Sequence, residues 1–403
     1  MEPGKTPRER AEDLISLLVS DWRPNPQQGL WAIRISVFLI ALIAIGYAYN
    51  ITLWDWAQLL IVPAVIAAGG LWFNRQQRGR ELGIAERRAQ EEALQAYLDR
   101  LSGLLTDKER PLHRSQPGDS LSTVARAQTM AVLPRLNPRG KGSVVRFLYD
   151  SNLITTPQPI IDLEFANLRR CDLYSAYLAK AHLSYLDLSE ANLQQAGLRD
   201  AWMAEVNLKE ADMRDAFLYG TDLRQANLSG ADLRTPHFSN TNLLLANLEG
   251  ANLRKTVLGG IKFGSNNLSR ADLREAVVGG VEFEGVNLSH ADLRNASLVG
   301  TNLRYANLQG ADLSGADLQH AILSGANLDG TNLSDANLDG TNLREPRPLL
   351  RRTSPPTDLR NVVGLTQQQL DRAIGDETTV LPYNLHMPQQ WYEIRDEQPT
   401  NEE

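Results

Sequence analysis

From Leu163 to Leu343 a large apolar residue occupies every fifth position of the chain. It is leucine at all but six of them, where Met203, Met213, Phe238, Phe263, Val278 and Phe283 stand instead. Two residues before each sits a side chain that is usually small, most often Ala or Thr. Between the two commonly lies Asp or Asn, as in Ala226-Asn227-Leu228 and Ala231-Asp232-Leu233. A period of five matches neither the 3.6 of a helix nor the 2 of a flat strand. A short period sustained without a break builds a solenoid, whose units bury their apolar sides only by stacking on one another.

A second period lies over the first. Asp212, Asp232, Asn252, Asp272 and Asp292 each open an acidic or amide, apolar, Arg triplet, one every 20 residues, and 251–263 (ANLRKTVLGGIKF) nearly repeats as 271–283 (ADLREAVVGGVEF). Four fives make 20, so one turn is read as four-sided with a pentapeptide per side. This pattern resembles the pentapeptide-repeat family, A(D/N)LxX, over residues 161–345. The resemblance implies a mainly β solenoid, a right-handed quadrilateral β-helix, here of about nine coils. At roughly 4.8 Å per coil the rod is about 43 Å long.

Within this frame the central Leu and the small residue two before it point inward, and their neighbours point outward. Each buried Leu contributes roughly 1.5–3 kcal/mol, offset by chain ordering. Cys171, the only cysteine, takes a small inward slot, which predicts a packed, inert thiol rather than a redox group. One side carries a column from Asn167 and Asp187 through Asn207 to Asn327, read as an amide ladder or else an ion-binding stripe. The next side carries Asp172, Asp212, Asp232, Asp272, Asp292 and Asp312 beside Arg214, Arg234, Arg254, Arg274 and Arg294. Stacked like charges repel, and an adjacent column of opposite sign relieves this. The stripe is expected to neutralise itself, with a docking surface for a charged partner as the alternative.

A third side is apolar outside as well: Tyr177, Phe217, Tyr219, Val257, Val277 and Val299, with glycines at 259 and 279. Monomers usually cover such a column. Either the chain's own flanking segments bury it or it meets a partner or a second copy. Leu244 and Leu245 pose the same choice. The candidate partner surface is therefore Tyr177, Phe217, Tyr219, Val257 and Val277 together with the arginine column.

Two apolar runs precede the repeat, Leu30–Ala48 and Trp56–Phe73, each just long enough to span about 30 Å of hydrocarbon. Trp31, Tyr47, Tyr49, Trp54, Trp56 and Trp72 cluster at their ends, as at a membrane interface. Arg23 and Arg34 flank the first and Arg75, Arg78 and Arg80 follow the second, while the loop between has no Lys or Arg. The expectation is a multi-pass cell-membrane protein with its N-terminus and repeat domain cytoplasmic. The organisation read from the sequence is a polar segment 1–28, a transmembrane helical hairpin 29–74, an amphipathic helix and linker 75–119, a helical N-terminal cap 120–160, the repeat 161–345, a loop and C-terminal cap 346–392, and a disordered tail 393–403. The cap helix 120–136 is expected to turn Val124, Ala127, Met130, Ala131, Leu133 and Leu136 inward. A second helix is expected over 142–150, after a break at Pro138-Arg139-Gly140. In the C-terminal cap, Thr366 with Gln369 forms a capping-box pattern, opening a helix with Leu370, Ala373 and Ile374 inward. The tail beyond it could lie along the aromatic side.

The six His, at 113, 182, 237, 290, 320 and 386, form no metal-ligand spacing, and no phosphate loop or nucleophile elbow is present. The expectation is no catalysis, no metal and no cofactor. The leading function is a membrane-tethered cytoplasmic scaffold for protein–protein interaction, its partners the lipid bilayer through residues 29–74 and an unidentified protein. A structural homo-oligomer is one alternative. The resemblance supplies another, since some soluble relatives mimic duplex DNA and bind type II topoisomerases. Residues 161–345 hold 24 acidic against 16 basic residues, which suits an acidic rod, but the arginine column interrupts it, so nucleic-acid-like behaviour and nucleic-acid binding are not expected.

Overall fold

The computed structural model describes residues 53–155, 158–344 and 356–392. The chain divides into two compact units, Met1–Ala85 and Glu86–Glu403. The first apolar run, Leu30–Ala48, lies outside the described residues. The backbone of the second, Trp56–Phe73, belongs to helix α1 (Leu53–Thr106), most of its side chains being outside the description. Among the described residues no helix is long and apolar enough to cross a membrane.

The repeat is a four-sided coil whose sides are single bridges rather than strands. Residues 20 apart pair in parallel, Asn167 with Asp187, Asp172 with Asn192, Tyr177 with Gly197 and His182 with Trp202, and so on along the rod. These pairs define sides 1 to 4 in chain order. Every large residue of the five-residue period is at most 2% exposed, except Phe238 at 9% and Phe263 at 7%. Most corners are turns closed by the N–H three residues after the central residue, as from Ala181 to the Leu178 carbonyl at 3.2 Å. The third turn residue takes positive φ, 59° at Lys180, as a type II turn requires. That conformation is unfavourable for a side chain. It is held because the same residue's N–H reaches the next coil, Lys180 N–H to Arg199 O at 2.8 Å. Thr in the small inward slot satisfies its buried hydroxyl on a carbonyl of the preceding coil, Thr221 on Leu198 O and Thr331 on Leu308 O, both at 2.8 Å.

The first coil is closed by helix α2 (Ser120–Val132) and helix α3 (Pro138–Asp150). These cover the open backbone edge directly. Pro138 O accepts from Asp172 N–H, Ile154 O from His182 N–H, Arg126 Nε donates to Asp162 O, and Lys141 Nζ to Arg169 O. Gly142 is needed because a Cβ there would collide with the Asp172 carbonyl. Two expectations are corrected. α3 starts at Pro138, because Asn137 accepts from Gly140 N–H at 2.8 Å as an N-cap and a proline at the first helical position costs no hydrogen bond. α2 turns Ser122, Ala125, Thr129 and Val132 inward, leaving Val124, Ala127 and Ala131 exposed. Small and polar residues win that face because the buried Tyr97 hydroxyl pairs with Thr129 Oγ1 at 2.8 Å, which an aliphatic side chain could not satisfy. Only the last turns of α1, from Ala93 to Leu105, pack on this core; Ala85 and Ala89 are exposed.

The C-terminal end holds further rungs. Asp358 pairs with Asn327 on side 1, Val363 with Asn332 on side 2, Ile374 with Asn342 on side 4, and Val380 with Asp358. On side 3 the short helix α4 (Gln367–Arg372) replaces the pairing, and Gln369 Nε2 donates to the Leu333 and Ala336 carbonyls at 3.0 and 2.8 Å. The Thr366–Gln369 capping box is present, with Leu370 and Ala373 buried. Ile374 points outward, since it takes the bridge position of a side. The chain to Tyr392 folds back on α4, Trp391 Nε1 donating to Ala373 O at 3.0 Å. The expected tail 393–403 and most of the loop 346–356 lie outside the described residues.

Candidate functional site: the outward sides of the rod

Side 1 is the expected amide ladder. Asn207 Nδ2 donates to Asp187 Oδ1 at 3.0 Å, Asn227 to Asn207 at 3.1 Å, and so on to Asn327 on Asn307 at 3.1 Å. All amides point towards the N-terminus. Each Oδ1 also takes the backbone N–H two residues on, as Asn287 takes Ser289 N–H at 3.2 Å, and this fixes the orientation of every amide. Asp187 receives a donor but has none to give, and no bond joins it to Asn167.

On side 2 the arginines are spent internally. Arg214, Arg234, Arg274 and Arg294 fork onto Asp212, Asp232, Asp272 and Asp292 at 2.5–2.7 Å. Secondary contacts reach the next coil, Arg274 Nε to Asp292 at 3.5 Å. Arg254 has Asn252 in place of an acid and reaches Glu275 instead, at 2.6 Å. The hydrogen bond from Arg274 holds the Asp272 carboxyl below the usual range. This self-neutralised stripe leaves few guanidinium donors for a charged partner.

Side 3 is bare. Tyr177, Phe217, Tyr219, Val257 and Val277 are 69, 40, 39, 57 and 45% exposed. Tyr177 touches only the edge of Tyr149 among rings, at 5.8 Å, and Phe217 stacks on His237 at 4.7 Å. Leu245 is also exposed, while Leu244 and Val299 are half-buried. The described flanking segments cap the rod's ends instead of covering this column, and the tail 393–403 lies outside the described residues.

The column is not continuous, and sequence reasoning missed why. No bridge joins His237 to Val257 on side 3 or Lys262 to Glu282 on side 4, whereas sides 1 and 2 are bridged from Asn167 to Asp358 and from Asp172 to Val363. Pro236 has no N–H with which to close its turn. Phe238, and Ile261 with Phe263, put more volume inside than Ala and Leu elsewhere, and Phe263 packs edge-on against Phe283 at 4.8 Å. The seam divides an aromatic part, Tyr177 to His237, from an aliphatic part, Val257 and Val277. Further outward aromatics escaped notice: Phe165, Tyr174, Tyr185 and Trp202 are exposed, and Trp202 stacks on His182 at 4.7 Å. These four sit in the first coils, Tyr305 is exposed further along the rod, and their outward register was the signal that could have found them.

The family description Pentapeptide repeats matches in eight copies, over residues 161–195, 201–235, 237–265, 267–304, 282–319 and 306–345. HetL, a pentapeptide repeat protein involved in heterocyst differentiation regulation from the cyanobacterium Nostoc sp. strain PCC 7120, is 32% identical over 50% of this chain and 95% of its own, with a TM-score of 0.30. The chain belongs to the pentapeptide-repeat family. A pentapeptide repeat protein of the Arabidopsis thaliana thylakoid lumen is 30% identical over 27% of this chain and 68% of its own, TM-score 0.17. A trypsin-treated form of QnrB1, a plasmid-mediated fluoroquinolone resistance protein, is 19% identical over 43% of this chain and 81% of its own, TM-score 0.21. No curated protein matches the chain.

Among the described residues of this pentapeptide-repeat protein no three His, Cys, Asp or Glu are placed to hold a metal ion. Burial pushes the Cys171 thiol up to about 12, against the opposing pull of Lys141, so it stays protonated and unreactive. A cavity of about 510 Å³ lies between the last pentapeptide coil and α4, lined in part by Asp335, Asp339, Thr366, Gln369 and Arg372.

Proposed function

We propose that this pentapeptide-repeat chain is a non-catalytic scaffold that offers side 3 of its rod to a protein partner. The observation that carries the reading is the exposure of Phe217, Tyr219, Val257 and Val277 in one column over which no described segment folds. Large apolar side chains in water at a regular spacing are costly for a monomer and mark interaction surfaces. The ladders of sides 1 and 2 hold these groups in place, so little ordering entropy is lost on binding.

The tether is a further part of the proposal. It rests on the two apolar runs, their aromatic ends and the basic residues flanking them, which support insertion with the rod on the cytoplasmic side. Among alternatives, the topoisomerase-binding reading has less support, because Arg214, Arg234, Arg274 and Arg294 neutralise the column that an acidic mimic would need.

The test uses the full chain in detergent and a triple variant, Phe217→Ser, Val257→Ser and Val277→Ser. Since these side chains are outward, the variant is expected to keep the wild-type melting temperature and to lose partner recovery in cross-linking pull-downs. Equal recovery from wild type and variant would remove side 3 as the surface. Light scattering of the same pair tells a second copy from a different protein, and carbonate extraction of membranes tests the tether.

A further inference from the structure

We propose that Arg304, Arg344 and the Ser324 hydroxyl form a binding site for a phosphate-class oxyanion on side 4. Asn302, Ile322 and Asn342 pair in succession on that side, so the two arginines stand two coils apart, about 9.6 Å along the rod, with Ser324 midway between them. A guanidinium on its three-carbon stem spans half of that distance.

Three observations single the pair out. The other arginines in the same slot of the repeat meet a carboxylate: Arg169, Arg199, Arg214, Arg224, Arg234, Arg254, Arg274 and Arg294 all do so. Arg304 and Arg344 form no ion pair among the described residues. Arg224, on the same side, has Asp222 two residues before it, where these two have Asn302 and Asn342. The reach that Arg254 makes to Glu275 is closed to Arg304, because Gly325 stands at the matching corner. Second, the Nε atoms of both are buried without a hydrogen-bond partner, a condition shared among described side chains only by Gln128 Oε1. Third, Ser324 is 1% exposed, whereas Ser314 and Ser334 in the same slot on side 2 are half-buried.

A buried cationic N–H without an acceptor is destabilising, more so than a neutral one. An oxyanion above Ser324 removes the cost at both arginines, for each can turn its fork towards the gap and donate to an oxygen. Two guanidinium charges match a dianion better than a carboxylate, and three acceptor oxygens match two forks and a hydroxyl. Glu284 stands one coil beyond Arg304, and Asp376 and Glu377 one coil beyond Arg344, on the outer flanks of the pair. They leave the gap open while moderating its potential, which places the affinity in the range of a weak ion site.

The experiment is calorimetric titration of inorganic phosphate into the full chain in detergent at low salt, with acetate and phosphoserine in parallel. Expected is saturable phosphate binding with a Kd of about 1 mM or tighter. Arg304→Gln and Arg344→Gln should each bind at least tenfold more weakly, and Ser324→Ala by a smaller factor. Arg224→Gln, whose guanidinium is held by Asp222, should bind as the wild type does. Arg304→Lys keeps the charge without the fork, and should also weaken binding. Phosphoserine binding as tightly as phosphate would extend the ligand to phosphate monoesters. No saturable binding by the wild type, acetate binding as tightly as phosphate, or wild-type affinity in folded Arg304→Gln or Arg344→Gln would overturn the proposal.

Discussion

Replacing Asn287 by Asp changes one atom in the side 1 ladder and tests whether its direction matters. Asn287 donates to Asn267 Oδ1 at 3.0 Å and accepts from Asn307 Nδ2 at 3.1 Å and from Ser289 N–H at 3.2 Å. The carboxylate keeps both accepting roles. It loses the donor and brings a lone pair against Asn267 Oδ1 at the same separation. Leaving a half-buried acceptor facing another acceptor costs about 1–3 kcal/mol. Taking about 2 kcal/mol, and about 2–4 °C per kcal/mol for a domain of this size, the melting temperature should fall by about 4–8 °C. At the start of the ladder the converse change brings no gain, because Asn167 Oδ1 already accepts Lys141 Nζ at 3.4 Å and Arg169 N–H at 3.1 Å and the Asp187 charge favours the Lys141 ammonium, so Asp187→Asn should not stabilise the chain. Both are read by thermal circular dichroism of the full chain at pH 7. An Asn287→Asp protein as stable as the wild type, or a stabilised Asp187→Asn, would refute this account of the ladder.

Two further outcomes follow from the same geometry. In hydrogen exchange, the amides of Phe238, Val257, Phe263 and Glu282, which lack the inter-coil bonds of their columns, should exchange at least tenfold faster than those of Leu233, Asn252, Leu268 and Asn287, which have them; equal protection would show that the seam is closed in solution. Arg274→Gln should lower the melting temperature at pH 7. Because Asp272 is held below its unfolded pKa, its contribution is present above about pH 3.9 and is lost as pH falls through the folded value, so the gap between wild type and variant should close on acidification; a gap constant down to pH 3 would sink this assignment.

Much of the rod was legible because its rules are local. The positions of the inward Leu, the 20-residue stacking and the pairing of Asp272 with Arg274 follow from spacing alone. The seam was not legible in the same way. Phe238 and Phe263 fit the period as large apolar residues, and only packing shows that Ile261 beside Phe263 exceeds the space that Ala and Leu fill elsewhere. The inward face of α2 was misread for a related reason. Hydropathy favours Val124, but the hydroxyl of Tyr97, contributed by a distant helix, required Thr129.

By itself the sequence determined the square coil, since a five-residue period with alternating large and small inward residues has one way to bury both. It also determined which columns are amide, charged and apolar, because stacking by 20 carries each sequence position onto its own kind. Only the tertiary structure decided what the ends do and what stays bare. α2, α3 and α4 are drawn to the two open backbone edges, where unpaired N–H and C=O groups are most costly, and no described segment is left over Phe217, Val257 and Val277. It also decided that Arg304 and Arg344 meet no carboxylate among the described residues, with Asn302 and Asn342 standing where Asp222 pairs with Arg224 and Gly325 at the corner that Glu275 fills for Arg254.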